Sequence, residues 1–417
     1  MNRYELARLL GAPAGLLTEA RREAVVIEDS DPRRFMTALA AATAQGGTVI
    51  LASETWSESE RAQLAVLRKL DAVTPATAAG KGWLCIPTGG TGGHVKLARH
   101  DEETLAAAVG GFCRHFSITQ VNAVGLLPLH HVSGLMAWLR CALTGGEYRP
   151  LDWKKIEAGE LPALPAKPQG WVVSLVPTQL ERLLRNATAV AWLQGFRTIF
   201  LGGAPAWPEL LAKAAAAQLP LSLGYGLTET AAMVTGLRPA EFLLGARGNG
   251  PALPHANVQV GGDGVISVGG DSLFRGYYPE WRDRRPFATG DLGRLDGQGH
   301  LQVLGRRDAV IITGGEKVDP AEVEAVLCGS GELGEVIVLG VPDAEWGQVV
   351  VAAYPASAQP VWALVQQAVT SRLSAMKRPK HFVPVADWPV NDQGKVNRAE
   401  VARRVQAAMS DPKQRSS

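Results

Sequence analysis

From residue 35 to residue 223 the chain alternates short, continuously apolar runs with longer segments whose apolar residues recur at helical spacing. No other feature restricts the fold as much. The spacing predicts helices over residues 35–44, 57–70, 102–116, 134–143, 178–184 and 209–217. It predicts strands over 48–51, 123–127, 170–175, 197–201 and 221–223. Runs this apolar have no face to give to water, so they read as strands of a largely parallel sheet covered by helices on both sides. At 417 residues and 46% hydrophobic content the chain exceeds one ordinary core. The expected class is α/β, with a large N-terminal domain of mainly parallel sheets flanked by helices. The Pro/Glu/Lys-rich stretch 151–167 reads as a surface loop. Between 248 and 304 the texture changes to short strands broken by glycine (VQVGGDGVISVGG, HLQVLGR), predicting a small antiparallel unit. Beyond Gly305 a βαβ pattern returns, with strands at 310–313, 335–341 and 349–354 and helices at 320–327 and 361–373. It predicts a small α+β C-terminal domain, dividing the chain into 1–304 and 305–417. The tail 410–417 is expected to be disordered.

The 42 basic and 40 acidic residues are well mixed, giving a net charge of +2 and no basic stripe for nucleic acid. No stretch approaches the roughly 20 apolar residues needed to span a bilayer, so stable membrane insertion is not expected. The opening residues carry no secretory pattern, and the expected compartment is the cytoplasm. Cys85, Cys113, Cys141 and Cys328 lie far apart among apolar neighbours and are expected to be reduced, with neither disulfide nor zinc.

One loop narrows the ligand class. PTGGTGGHVK follows the apolar run 83–86 and offers Thr88, Gly89, Gly90, Thr91, Gly92, Gly93 and Lys96. Glycines let backbone N–H groups turn toward an anion, threonines add hydroxyl donors, and the lysine adds a charge. The segment is not a P-loop, because Lys96 follows Val95 rather than glycine and precedes Leu97 rather than Ser or Thr. Taken alone it is equally a plain connection between a strand and a helix.

Further segments follow in order: PLHHVSG (128–134), LGGAP (201–205), YGLTET (225–230), TGDLGR (289–294), GRRD (305–308) with TGGEK (313–317), and NDQGKVNR (391–398). Singly, LGGAP reads as a strand-end turn, Thr228 as a helix cap and Asp291 as a turn aspartate. As an ordered set, from about Lys81 to Arg398, they resemble the adenylate-forming superfamily of acyl-CoA ligases, luciferases and peptide-synthetase adenylation domains.

That resemblance implies an AMP-forming ligase whose ligands are ATP, Mg2+, CoA and a carboxylic acid, the alternative being an adenylation module that loads a carrier protein; a homodimer is compatible with it. It implies that Gly202, Gly203 and Ala204 face adenine, with Tyr225 and Gly226 beside it. Thr228 donates to a phosphate, Glu229 holds Mg2+, Asp291 takes the ribose, and Arg306 reaches the ribose or a phosphate. Lys395 neutralises charge in the adenylation step. The C-terminal domain is mobile and swings about Asp308, and Gly315, Glu316 and Lys317 serve the CoA step. His131 matches a gate between the two steps, although a core histidine at a helix start is the rival reading. The loop itself departs from the usual Thr-Ser-Gly-Thr-Thr-Gly-x-Pro-Lys, with Gly89, Gly92 and Val95 replacing a hydroxyl, a threonine and the proline. Its phosphate grip is therefore expected to rest more on backbone N–H groups.

Acyl specificity is expected from the helix after the histidine pair and from Gly224. Helical spacing puts Ser133, Ala137, Arg140 and Thr144 on one face, and Arg140 is the sole charge in an apolar stretch. A cation there suits a second carboxylate on the acid, whereas the bland reading has Arg140 snorkelling to water. The segment most resembles superfamily members that activate an aromatic acid bearing two carboxylates.

Overall fold

Five parallel strands build the largest sheet of the computed structural model. In spatial order they are Tyr148–Pro150, Ala123–Gly125, Val172–Leu175, Thr198–Leu201 and Leu221–Leu227, with Ala232–Gly236 added antiparallel at the edge. The structure describes residues 1–13, 24–70, 82–88, 95–283, 285–343, 345–390 and 396–410. Alternate residues of each strand enter opposite cores, as the two-residue period requires. Val173, Ile199 and Leu201 pack with Leu180, Leu183, Leu210 and Leu211 of helices Pro177–Leu183 and Pro208–Ala216. Val172 and Phe200 pack instead with Phe112, Phe116 and Cys141 of helices Glu102–Phe116 and Val132–Thr144.

A second sheet holds Val25–Ile27, Val49–Leu51 and Leu84–Pro87 in parallel, with Leu97–His100 antiparallel. The glycine-rich segment therefore joins two antiparallel strands, not a strand and a helix. Its base is closed by the Thr88 N–H donating to the Lys96 carbonyl at 2.9 Å, and residues 89–94 lie outside the described residues. The third sheet is antiparallel throughout: Ala256–Val260, Val265–Gly270, Phe287–Leu295 and Leu301–Arg306.

A short turn, Arg307–Ala309, leads to a separate sheet made of Glu316–Val318, Ile311–Thr313, Gly347–Pro355, Ile337–Asp343 and His381–Val385. The sequence pattern reads this part as βαβ. Ile337–Asp343 and Gly347–Pro355 in fact form an antiparallel hairpin, and only the pair Gly347–Pro355 and His381–Val385, joined through helix Trp362–Arg372, is parallel and adjacent. Apolar runs fix that a segment is a strand, not its direction. The stretch 151–167 is not all loop either: Asp152 accepts from the Lys154 N–H and starts the short helix Trp153–Glu157. The C-terminal sheet's helix Pro320–Gly329 rests Ala325 and Cys328 against the first core, and Arg182 with Glu335 (3.0 Å) and Arg372 with Glu209 (2.7 Å) pair across the junction.

Candidate active site

In a parallel sheet, ligands collect beyond the carboxyl ends of the strands, where the order of connection reverses. Here the chain leaves Ala123–Gly125 for one neighbour, Tyr148–Pro150, then returns to the other, Val172–Leu175. The histidine pair follows the first of these strands, Gly202–Ala204 follows Thr198–Leu201, and Tyr225–Thr228 ends Leu221–Leu227. Three motifs separated in sequence thus share one edge. Gly203 has a φ of +84°, which favours glycine, and a Cβ built on Gly202 would meet open space. A flat group can lie against this turn. Gly226 has a different reason: a Cβ there would come within 2.0 Å of the Ala232 carbonyl, so glycine allows the edge strand to approach. Gly224 is similarly close to Met233 and to the Thr235 carbonyl.

The antiparallel register sets Asp291 directly opposite Arg306. Tyr225 reaches across from the parallel sheet and donates its hydroxyl to Asp291 Oδ2 at 2.6 Å, and Arg306 Nη1 lies 3.4 Å from Oδ1. Arg306 also makes a two-pronged pair with Asp308, at 2.9 and 2.8 Å. Burial raises the Asp291 carboxyl above its ordinary range, whereas the hydrogen bonds from Arg306 lower Asp308. One guanidinium therefore ties the aspartate of the third sheet to the turn that leads into the C-terminal sheet.

Thr228 and Glu229 stand on a tight turn whose exit holds two alanines at positive φ, Ala231 (+50°) and Ala232 (+76°). Such backbone is costly for alanine and persists where its surroundings dictate it. His100 Nε2 donates to the Thr228 carbonyl at 2.7 Å, fixing the turn from below. Tyr277 donates its hydroxyl to Glu229 Oε1 at 2.6 Å, and Lys96 Nζ lies 5.6 Å from the Tyr277 ring centroid. Among the described residues no three His, Cys, Asp or Glu side chains gather into a metal cage. Mg2+ arriving on a triphosphate needs only one protein carboxylate, and buried Glu229 fits that part.

His131 is the N-cap residue of helix Val132–Thr144, with its ring 4.2 Å from that of His130, and Ser133 is half-buried beside it. Arg140 does not snorkel: it is 6% exposed, its guanidinium stacks 4.0 Å above Phe112, and its Nε has no hydrogen-bond partner among the described residues. No carboxylate among the described residues pairs with it, and burial lowers its pKa to about 10. His255, also buried, lies against Gly111 of the neighbouring helix, and among the described residues neither ring nitrogen meets a partner at hydrogen-bond geometry. Gly315, Glu316 and Lys317 are exposed on the hairpin of the C-terminal sheet, outside the hydrogen-bonded cluster, and Lys395 lies outside the described residues.

Sequence reasoning missed Tyr277, His100 and His255. Only the last had a signal, since a glycine amid a helix at 111 marks a close approach.

Burial holds the imidazoles of His100 and His255 neutral, with pKa values down to about 4 for each from an ordinary 6.5. Below pH 6.5 the unfolded chain takes up protons that the folded chain refuses, so stability complete above that pH is lost as it falls toward 4. The expected loss at pH 5 is about 2 kcal/mol per histidine. Thermal unfolding followed from pH 7.5 to 5 checks this, and a flat profile contradicts it.

Carboxyl-edge glycines, a carboxylate and arginine in register, and a tyrosine set between a carboxylate and a lysine are the features of an α/β nucleotide site. The chain belongs to the AMP-binding enzyme family, which it matches over residues 9–278, with the AMP-binding enzyme C-terminal domain matched over 322–395. Among curated relatives, 2-succinylbenzoate–CoA ligase of Listeria monocytogenes (serotype 4b, strain F2365) is 32% identical over 291 residues, 67% of this chain. The match spans only 60% of that relative's length. Indoleacetate–CoA ligase of Aromatoleum aromaticum is 32% identical over 341 residues, 76% of this chain and 66% of the relative. The fold is that of o-succinylbenzoate CoA synthetase from Bacillus subtilis, solved with the acyl-adenylate intermediate OSB-AMP. The TM-score is 0.75 at 22% identity, covering 96% of this chain and 91% of that one.

Proposed function

We propose that the protein is an AMP-forming acid–CoA ligase whose substrate is 2-succinylbenzoate, an aromatic acid with a second carboxylate. The observation that carries the choice of acid is Arg140, a buried guanidinium whose Nε lacks a hydrogen-bond partner and which no carboxylate among the described residues neutralises. An unpaired buried charge costs several kcal/mol and invites an anionic ligand. A single-carboxylate acid such as indoleacetate, activated at its carboxylate, leaves Arg140 unanswered.

In the first step a carboxylate oxygen bonds to the α-phosphorus of ATP and the bond to pyrophosphate breaks. In the second the CoA thiol gives up its proton, its sulfur bonds to the acyl carbon, and AMP leaves. Asp291 and Arg306 hold the ribose, displacing the Tyr225 hydroxyl, and the turn at Gly202–Ala204 receives adenine. Thr228, whose hydroxyl bonds to no other described residue, donates to a phosphate. Mg2+, held by Glu229, supplies charge neutralisation on the phosphates. Residues 1–304 and 305–417 act as two domains hinged at Asp308, a division supported by the short turn between separate sheets. Gly315, Glu316 and Lys317 serve the CoA step after the swing. His131 stands at the carboxyl edge where the acid meets CoA, with Ser133 and Gly224 beside the acyl group. The setting proposed is cytoplasmic; among the described residues no helix is long and apolar enough to cross a membrane.

Pyrophosphate release from ATP with 2-succinylbenzoate tests the first step, and acyl-CoA formation on adding CoA tests the second. Absence of AMP formation with this acid removes the reading.

A further inference from the structure

Lys96 and Glu229 carry opposite charges in the same site, yet among the described residues they form no ion pair, because Tyr277 stands between them. Its hydroxyl donates to Glu229 Oε1 at 2.6 Å, and its ring lies 5.6 Å from the Lys96 ammonium. The backbone leaves Tyr277 little freedom. The Arg275 N–H donates to the Arg99 carbonyl (2.8 Å), the Arg99 N–H to Gly276 (2.9 Å) and the Tyr278 N–H to Leu97 (2.8 Å), which lays this segment along strand Leu97–His100. Arg275 is buried against Asp101 at 2.7 Å, and the Phe274 N–H donates to the Glu229 carbonyl at 2.8 Å. The segment thus joins the base of the glycine-rich loop to the turn that bears Glu229.

We propose that Tyr277 is a positioning residue of the nucleotide site that keeps Lys96 and Glu229 apart, so that a metal–triphosphate can enter between them. The proposal rests on the assignment of this cluster to ATP. A direct Lys96–Glu229 pair would neutralise both groups the ligand needs, whereas the phenol occupies one carboxylate oxygen and leaves the other. The ring face holds the ammonium by a cation–π contact, weaker and easier to exchange for phosphate. Tyr277 thus touches both Glu229 and Lys96.

The test is the variant Tyr277→Phe, which keeps the ring and its packing on Phe274 (centroids 4.9 Å apart) and removes the hydroxyl. Binding of Mn2+–ATP, read by electron paramagnetic resonance without acid or CoA, is expected to weaken about ten-fold, the scale of one hydrogen bond to a charged group. The KM for ATP rises by a similar factor while that for the acid stays within two-fold. In a Glu229→Gln background, adding Tyr277→Phe is expected to change Mn2+–ATP affinity less than two-fold, because the hydroxyl acts through that carboxylate. Unchanged Mn2+–ATP affinity in Tyr277→Phe overturns the proposal, as does an additive double variant. An equal rise in all KM values with a lowered melting temperature also overturns it, pointing to general loosening. If wild type binds no Mn2+–ATP, the ATP assignment fails and the proposal with it. If wild type binds Mn2+–ATP but turns over no 2-succinylbenzoate, only the choice of acid fails.

Discussion

Replacing Lys395 by alanine is expected to lower ATP–pyrophosphate exchange about a thousand-fold while leaving thioester formation from supplied acyl-adenylate within about three-fold of wild type. The asymmetry follows from where charge develops. When a carboxylate attacks the α-phosphorus, negative charge spreads over the phosphoryl oxygens and onto departing pyrophosphate, and a placed ammonium stabilises that state more than the ground state. When the thiol later attacks the acyl carbon, the bond that breaks leads to AMP, a leaving group already formed. Lys395 lies outside the described residues; on either side of 391–395, Val390 and Val396 pair across the chain and the Asn397 N–H donates to the Pro389 carbonyl at 2.7 Å. The conservative variant Lys395→Arg keeps the charge but not the compact ammonium, and it is expected to recover only part of the exchange rate. Equal loss in both half-reactions would falsify the division of labour between two arrangements of the C-terminal domain.

What could be read from sequence was local. Helix Glu102–Phe116 has the predicted bounds, and the strands at 172–175 and 198–201 lie within theirs, because apolar period and capping are written in neighbouring residues. The order of motifs along the chain carried the family resemblance, while their meeting beyond strand ends came from the fold. Direction and long-range pairing were not legible. Nothing in the segment 335–355 says that its two strands run antiparallel. The turn after Glu229 carries its positive φ on alanines, which give no glycine or asparagine signal. Tyr277 and Glu229 are 48 residues apart, and His100 and Thr228 are 128 apart. Contacts of that span come from how three sheets meet, so a chain position that looks like filler can complete a site.

The variant Arg140→Met is expected to be more stable than wild type and at the same time nearly inactive on the proposed acid. Among the described residues the buried guanidinium has its Nε unbonded and no carboxylate beside it, and burial lowers its pKa to about 10. Methionine has similar length and no charge to desolvate, and its sulfur can keep a contact with the Phe112 ring in place of the cation–π stack at 4.0 Å. Removing the uncompensated charge is expected to gain on the order of 1–3 kcal/mol, visible as a melting temperature higher by several degrees. With 2-succinylbenzoate, kcat/KM is expected to fall about a hundred-fold or more, since the ring carboxylate loses its partner inside a dry site. Benzoylpropionate, the same acid without the ring carboxylate, should lose less than about three-fold, because in wild type it already leaves Arg140 unpaired. The opposed signs make the pair of measurements decisive. A guanidinium that served only to hold two helices together would lower stability when removed and would not distinguish the two acids. One kept for a substrate anion leaves the fold strained until that anion arrives, and its removal relaxes the fold at the expense of recognition.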